Sequence, residues 1–307
     1  MSQEVPILLI AFRRPDLAGR VLQAIARQRP KRLYLAIDAA REGNDQEAQA
    51  VAATRRLLRE GLSWPCRVNW LVQSRNLGCR AGVLAALDWF FAAEPEGIIL
   101  EDDILPGEDF FRFCCELLNF YRHDATVGAI SGCSVGRRSE SLGLPSYRLS
   151  RFQPVWGWAS WRRAWQLHRP DLSGWLLWRG SNALADWGGQ RLQRRMAPLL
   201  DSILSGDCDT WDYDWFLSCW QQGLCAAVPQ VNLVRNLGFG STLATHCQRG
   251  RSPLPHPATL SWPLRHPSSK FDDILADRQL FERLYAPKLS LRIWRRCEQF
   301  LPMSLDG

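Results

Sequence analysis

The stretch Gly97-Ile98-Ile99-Leu100-Glu101-Asp102-Asp103-Ile104 joins a short apolar run to three consecutive carboxylates. An aliphatic run that ends in charge is typical of a buried strand whose carboxyl end reaches the surface. In open α/β sheets, ligands bind at that edge. Because adjacent carboxylates repel one another, a bound Mg²⁺ or Mn²⁺ is one interpretation of the cluster. A solvated strand end, or the acidic first turn of a following helix, is the other.

Three strand and helix units precede this stretch. Apolar runs predict strands at 6–12, 33–38 and 68–72, and helical spacing of apolar residues predicts helices at 17–25, 45–60 and 81–91. This alternation, with the strand at 98–100 as the fourth, predicts parallel strands with right-handed crossovers. We therefore expect a doubly wound, mostly parallel α/β sheet flanked by helices.

The alternation stops after a predicted helix at 110–121 and a predicted strand at 127–131. Residues 136–150 suggest a loop, 156–161 form an aromatic cluster, and helices are expected at 199–204 and 215–221. The run 226–234 predicts a strand that Pro229 restricts to a sheet edge. We place the core domain at residues 1–255 and a partly helical C-terminal extension, packed on that core, at 256–307.

The net charge of +7 favours anionic partners such as phosphates, nucleotides or a membrane surface. No recognised DNA- or RNA-binding motif occurs, so nucleic acid is not an expected partner. A basic amphipathic segment at 289–296 predicts either a helix docked on its own domain or a peripheral membrane contact.

The ten cysteines contain no C-x-x-C and include one adjacent pair, which suits neither a zinc ribbon nor a small disulfide scaffold. The N-terminus has no basic region before its short apolar run, so a signal peptide is not expected. No apolar stretch approaches the roughly 20 residues that span a bilayer. We expect reduced thiols in a cytoplasmic protein, or in one that works at the inner face of the membrane.

Basic and glycine-containing loops follow the first and third predicted strands. Arg13 and Arg14, the turn at 75–78 and the carboxylates at 101–103 together suggest a nucleotide whose phosphates are bridged by Mg²⁺ or Mn²⁺. A P-loop NTPase and a Rossmann dinucleotide enzyme are disfavoured, because neither glycine motif is present. A second acidic segment, 207–214, can supply a base that is not a metal ligand.

Six segments occur in order along residues 5–250: P-I-L-L-I-A-F-R-R-P-D (6–16), S-R-N-L-G (74–78), I-I-L-E-D-D-I (98–104), W-G-W-A-S-W-R-R-A-W (156–165), W-D-Y-D-W (211–215) and N-L-G-F-G-S-T-L-A-T-H (236–246). Together they resemble a bacterial GT-A-fold glycosyltransferase of the family-2-like group related to N-acetylglucosaminyltransferase I. The resemblance implies inverting transfer of a hexose or N-acetylhexosamine from a nucleotide-diphosphate donor, most often a UDP-sugar. The expected acceptor is a hydroxyl of a glycan or lipid-linked molecule, as in polysaccharide biosynthesis.

The resemblance also implies a division of labour among the carboxylates. Asp103 corresponds to the direct metal ligand, while Glu101 and Asp102 hold the ribose and the donor sugar. A cap-like or supporting role is the alternative for Glu101. Asp212, which follows Trp211, is the first choice for the catalytic base.

Asp214 and Asp209 are the rivals of Asp212. The base deprotonates the acceptor hydroxyl while the metal stabilises the departing diphosphate. A single base without a covalent partner implies inversion at the anomeric carbon.

Further donor-binding positions follow from the same resemblance. They are Phe12, Arg13, Arg14 and Asp38 around the nucleotide base, Arg75, Asn76 and Gly78 in the turn after the third strand, Trp158 near the sugar, and Phe239, Gly240 and His246 in a segment that closes over the donor. His246 is expected on the diphosphate or the metal, with a structural loop histidine as the alternative. Asp38-Ala39-Ala40-Arg41 stands where relatives often show D-G-x-R, and the absent glycine leaves that contact open.

Two other functions remain open at this stage. A sugar-nucleotidylyltransferase would share the layout and the metal, but it should show a glycine-rich loop after the first strand, and residues 10–16 contain no glycine. A non-catalytic carbohydrate-binding protein with the same fold would be favoured if the acidic positions were missing, and they are all present.

Overall fold

The computed structural model describes residues 4–136, 144–239, 252–268 and 274–285. The strands are β1 (Ile7–Ala11), β2 (Arg32–Ile37), β3 (Arg67–Val72), β4 (Glu96–Glu101), β5 (Ile104–Pro106), β6 (Val127–Ser131), β7 (Tyr147–Ser150), β8 (Trp158–Trp161), β9 (Cys225–Pro229) and β10 (Val234–Asn236). The helices are α1 (Pro15–Gln28), α2 (Asp45–Glu60), α3 (Gly78–Ala93), α4 (Phe110–Phe120), α5 (Arg162–Trp165), α6 (Trp175–Arg179), α7 (Ala183–Leu204), α8 (Asp212–Gln221) and α9 (Ile274–Leu284).

Eight of these strands form one sheet in the order β3-β2-β1-β4-β8-β6-β9-β7. The first four are parallel, as the alternation of strands and helices predicts. The chain then adds β8, which runs antiparallel between β4 and β6. The predicted doubly wound, mostly parallel sheet flanked by helices is confirmed.

Helices cover both faces of the parallel half, so its central strands are apolar throughout rather than alternating. Leu8, Leu35 and Leu100, on three neighbouring strands, are completely buried. From one side, α1 packs Ala18, Val21, Leu22 and Ile25 into this core, at the spacing that puts them on one face of a helix.

The second half of the sheet corrects three predictions. The predicted loop at 136–150 contains β7, and the aromatic cluster at 156–161 contains β8. Every residue of β8 is buried, so no polar alternation marks it as a strand. The strand β9 is not at an edge, because it pairs with both β6 and β7. Pro229 is its last residue, where the hydrogen-bonded ladder ends and a missing N–H costs little.

A separate two-stranded ribbon brings the segment after β10 to the acidic strand end. β10 runs antiparallel to β5, and the backbone N–H of Leu237 donates to the carbonyl of Asp103 at 2.8 Å. Gly157, at φ +68°, lies under this ribbon, where a Cβ would be 2.8 Å from Cγ1 of Val234. The absence of a side chain at Gly157 therefore allows the ribbon to approach the main sheet.

Two segments beyond residue 251 contact the sheet and its helices. Asp109 accepts hydrogen bonds from the backbone N–H of Leu260 at 2.7 Å and from Nε1 of Trp262 at 3.0 Å. In α9, Asp277 pairs with Arg148 and accepts the backbone N–H of Arg151 at 3.1 Å. The division of the chain at residue 255 stays a prediction, and the basic segment at 289–296 lies outside the described residues.

No helix in the described part of the chain is both long enough and apolar enough to cross a membrane. None of the eight described cysteines forms a disulfide bond. The compartment in which the protein works stays a prediction.

The contact of α3 with β4 gives a test of the fold. A Cβ on Gly97 would be 2.3 Å from Cζ of Phe90 and 2.9 Å from the carbonyl oxygen of Pro6. We expect Gly97→Ala to lower the free energy of unfolding by about 1–3 kcal/mol through overpacking, measured by urea denaturation. As a control, Gly136→Ala should change it by less than about 0.5 kcal/mol, since none of the described residues lies within 4 Å of that Cβ. Equal effects would contradict the packing of α3 on β4.

Candidate active site

The site is at the point where the sheet changes direction. From β1 the chain proceeds to β2 and β3 on one side, while β4 adds to the other side of β1. The loops that leave β1 and β4 therefore diverge and open a crevice at the carboxyl edge, where α/β sheets bind ligands. The backbone N–H of Phe12 donates to Oδ2 of Asp102 at 3.2 Å and links the two loops across that crevice.

A cavity of about 790 Å³ occupies the crevice, which is in the usual size range for a small-molecule site. Most of the residues predicted for the site line it: Phe12, Arg13, Arg14, Asp38, Asn76, Gly78, Glu101, Asp102, Asp103, Trp211, Asp212 and Phe239. The cavity lining thus includes residues of five of the six sequence segments named above and of the described part of the sixth.

Arg14 is the counter-cation of the acidic strand end. Its Nη1 lies 2.8 Å from Oδ2 of Asp103, and its Nη2 pairs with Oδ1 of Asp102. Burial by itself lowers the pKa of Arg14, but the charges of Asp102 and Asp103 outweigh burial and raise the pKa above its ordinary value. The guanidinium is therefore charged at every physiological pH.

Glu101 faces the cavity without such a partner. Its carboxylate accepts no hydrogen bond from the described residues and lines the cavity beside Asp103. Burial, followed by the charge of Asp103, raises the pKa of Glu101 to about 8. The charge of Arg14 opposes this rise, but it does not offset burial and the neighbouring carboxylates.

The three carboxylates at 101–103 and Arg14 fit a divalent cation that also binds phosphate oxygens. Three carboxylates face one guanidinium, so negative charge remains in excess. Among the described residues, no group of three or more His, Cys, Asp or Glu side chains is arranged to hold a metal ion by itself. A cation here would therefore take one or two carboxylates, from Asp103 and Glu101, and fill its other positions with phosphate oxygens and water. That is the usual coordination of Mg²⁺ at nucleotide sites.

Asp212 is the first residue of α8 and lines the same cavity. Its Oδ1 accepts a hydrogen bond from Oγ1 of Thr210 at 2.5 Å, which orients the carboxylate. Its charge is also one of the contributions that raise the pKa of Glu101, so the two carboxylates lie within electrostatic range of each other.

The two rival aspartates hold helices in place. Asp214 is fully buried, outside the cavity lining, and pairs with Nη2 of Arg80 and with Nε2 of His168, each at 2.8 Å. Asp209 lines the cavity but accepts the first backbone N–H groups of α3, from Cys79 and Arg80, both at 2.9 Å. These contacts favour Asp212 among the three candidates.

Asp38 also has a structural task at the cavity wall. Its carboxylate accepts the backbone N–H groups of Ala39, Leu77 and Gly78 at 2.9–3.1 Å, and Nδ2 of Asn76 at 3.1 Å. Burial raises the pKa of Asp38, and the backbone hydrogen bonds oppose that rise. Asp38 therefore shapes the turn that begins α3 in addition to facing any bound ligand.

Arg13 and Arg41 meet at the buried carboxylate of Glu47. Nη1 of Arg13 lies 2.6 Å from Oε1 of Glu47, and the backbone N–H of Arg41 donates to Oε2 at 2.9 Å. Arg41 lines the cavity although it is absent from the predicted site, and its place in the D-A-A-R stretch was the available signal.

The two tryptophans of the W-G-W stretch have opposite roles. Trp158, the predicted sugar contact, is buried in β8, with ring centres 5.8 Å from Trp211 and 6.0 Å from Trp215. Trp156 precedes the strand and lines the cavity, with its ring edge-on to Phe239 at 5.7 Å. Trp158 is thus a core residue of β8 and does not line the cavity, while Trp156, the other tryptophan of the expected pair, does.

The remaining predicted positions lie elsewhere. Arg75 is exposed and does not line the cavity. Gly240 and His246 lie outside the described residues, so a contact of His246 with metal or diphosphate stays a prediction. Gln73 and Thr210 line the cavity and were missed, since they lie outside the six segments. Tyr213 and Asn236 also line it and lie within two of those segments, but they were given no role.

A substitution at Asp214 tests whether this aspartate has a structural role. We expect Asp214→Asn to lower the free energy of unfolding by about 3 kcal/mol, because it breaks a buried ion pair and leaves Arg80 without its counter-charge. Urea denaturation measures this loss. The control Asp186→Asn, at an exposed position of α7, should change stability by less than about 0.5 kcal/mol. A similar small effect at Asp214 would mean that its ion pairs contribute nothing to the fold.

The raised pKa of Glu101 predicts a pH effect in the metal-free protein. A carboxyl group whose folded pKa lies above its unfolded value adds stability at low pH, and that stability is lost as the pH rises toward about 8. In Glu101→Gln the side chain cannot ionise, so this loss of stability with rising pH is absent. With a chelator present, the stability of the variant relative to the wild type should rise from pH 5 to pH 8 by at least about 1.4 kcal/mol, the equivalent of one pKa unit. Parallel stability curves would contradict the burial of an ionisable Glu101.

No protein-family model matches the chain, and no curated protein matches it significantly. Among solved structures, HddC from Yersinia pseudotuberculosis is 10% identical with a TM-score of 0.32, over 52% of this chain and 77% of that one. The 4-diphosphocytidyl-2C-methyl-D-erythritol synthase of Anaerococcus prevotii is 9% identical with a TM-score of 0.32, over 52% and 72%. A UDP-glucose pyrophosphorylase complexed with UDP-glucose is 8% identical with a TM-score of 0.36, over 74% and 90%. Likeness at this level carries no argument about function.

Proposed function

We propose that the chain is a metal-dependent, inverting glycosyltransferase. It moves a sugar from a nucleotide-diphosphate donor, most plausibly a UDP-sugar, to a hydroxyl of a glycan or lipid-linked acceptor. One observation carries the proposal: a single cavity at the switch point of the sheet holds both the Arg14–Asp102–Asp103 cluster and the separate carboxylate of Asp212.

The charges of the cavity suit a nucleotide diphosphate. Arg13 and Arg41 lie on the side of β1 and β2, beside Asp38 and Asn76, and supply positive charge and hydrogen-bonding groups for a nucleoside. A divalent cation held by Asp103 and Glu101 would neutralise the diphosphate as it departs. These features suit a donor in which the nucleoside is followed by a negatively charged diphosphate.

The aromatic part of the lining suits a sugar. Trp156, Tyr213 and Phe239 line the cavity, and aromatic rings pack well against the apolar faces of sugars. Asp212 accepts the proton of the acceptor hydroxyl as that oxygen bonds to the anomeric carbon and the bond to the diphosphate breaks. With one base and direct attack opposite the leaving group, the configuration at the anomeric carbon inverts.

The nucleotidylyltransferase alternative meets an electrostatic obstacle in this cavity. Such an enzyme must bind a second anion, the sugar phosphate that attacks the nucleotide. Besides the strand-end cluster, the cavity lining includes the carboxylates of Asp209 and Asp212, and their charges repel a second phosphate. A neutral hydroxyl encounters no such repulsion.

The first test uses purified protein, Mn²⁺ and a panel of nucleotide sugars. We expect slow hydrolysis of one UDP-sugar to UDP and a Mn²⁺-dependent rise in melting temperature with UDP. Asp103→Ala should abolish both, since it removes the proposed metal ligand. No UDP release from any donor, together with no Mn²⁺-dependent shift by UDP, would refute the proposed function.

The second test concerns the base. Asp212→Asn should lower transfer, or the slow hydrolysis in which water replaces the acceptor, by about 10²-fold or more, because the general base is lost. Binding of UDP and Mn²⁺, measured by calorimetry, should remain. Asp209→Asn is the matched comparison on the same loop. A larger kcat loss at Asp209 than at Asp212 would reverse the assignment.

A further inference from the structure

The pairing of Arg14 with two aspartates has a consequence for metal binding, which rests on the proposed function. Arg14 has only 16% of its side chain exposed, and Asp102 and Asp103 have 3% and 13%. In such partly dry surroundings charges are weakly screened, so a cation that approaches Asp103 meets a fixed positive charge beside it.

The atoms around Asp103 further limit how a cation can approach its carboxylate. Its Oδ2 accepts Nη1 of Arg14 and is also closely covered by the backbone of Gly238, where a Cβ would be only 2.4 Å away. Asn236 accepts the backbone N–H of Gly238 at 2.8 Å and holds that backbone in place. One carboxylate oxygen of Asp103 therefore accepts the guanidinium on one side and lies against the backbone of Gly238 on the other.

We infer that Arg14 is an internal counter-cation that makes metal binding depend on the diphosphate. Without nucleotide, the guanidinium neutralises part of the charge that would attract Mn²⁺ and repels the ion at close range. When a nucleoside diphosphate enters, its negative charges compensate for both cations, and Mn²⁺ and Arg14 can share the carboxylates. Metal and nucleotide then bind cooperatively, and Arg14 is the origin of that coupling.

The coupling is measured by calorimetry on the full chain, with Mn²⁺ alone, UDP alone, and Mn²⁺ at saturating UDP. For the wild type we expect Mn²⁺ to bind about tenfold more tightly, or better, when UDP is present. In Arg14→Met, Mn²⁺ alone should bind about tenfold more tightly than it binds to the wild type, and the added effect of UDP should shrink by a similar factor.

Arg13→Met is the matched control, because it removes the same charge from the adjacent residue. Arg13 pairs with Glu47 instead of the acidic strand end, so Mn²⁺ alone should bind this variant much as it binds the wild type. Arg14→Lys keeps the charge and should keep the weak binding of Mn²⁺ alone. If Arg14→Met does not fold, as judged by circular dichroism, Arg14→Gln takes its place, since it removes the charge but can still hydrogen-bond to the aspartates.

The outcomes separate this inference from the proposed function. A wild type that binds no Mn²⁺ even with UDP contradicts the metal-dependent function itself. A wild type that binds Mn²⁺ with UDP, while the neutral Arg14 variant binds Mn²⁺ alone no better than Arg13→Met does, overturns only the role of Arg14. Tighter binding confined to the neutral Arg14 variant supports the inference.

Discussion

The ion pairs of Arg14 with Asp102 and Asp103 are the interaction on which the candidate site depends. They neutralise a charged strand end next to β1, a strand that is apolar throughout. Without the guanidinium, two adjacent carboxylates at a nearly buried position would repel each other with no positive charge beside them. The same contact therefore stabilises the acidic strand end and sets the charge of the crevice.

The parallel half of the sheet was predictable because its signals are local. Apolar runs and helical periodicity located β1 to β4 and α1 to α3, and α2 was predicted to the residue. The strand β8 was not, because burial on both faces removes the alternation that identifies a strand, and its pairing with β4 and β6 depends on residues far away in sequence. The position of β9 inside the sheet was missed for the same reason.

The sequence predicted most of the residues that line the candidate site, but it did not predict the structural roles of individual aspartates. A motif can show that Asp38, Asp209 and Asp214 are near a cavity, but it cannot show what their oxygens contact. Asp38 and Asp209 accept backbone N–H groups of the turn and first residues of α3, and Asp214 pairs with Arg80 inside the core. These contacts join segments more than 30 residues apart, so only the folded chain reveals which aspartates stabilise the turn, the start of α3 and the core.

Asp209 accepts the first backbone N–H groups of α3 and thereby connects the turn held by Asp38 to the loop that carries Asp212. Asp38 holds the turn at 76–78, that turn begins α3, and the first residues of α3 hold Asp209, three positions before Asp212. Under the proposed function, the groups around the nucleotide and the carboxylate of Asp212 are therefore coupled through α3. An exchange of the β2 loop, made to accept another nucleotide, would then also move Asp209 and the loop that carries Asp212, so the two loops would have to be redesigned together.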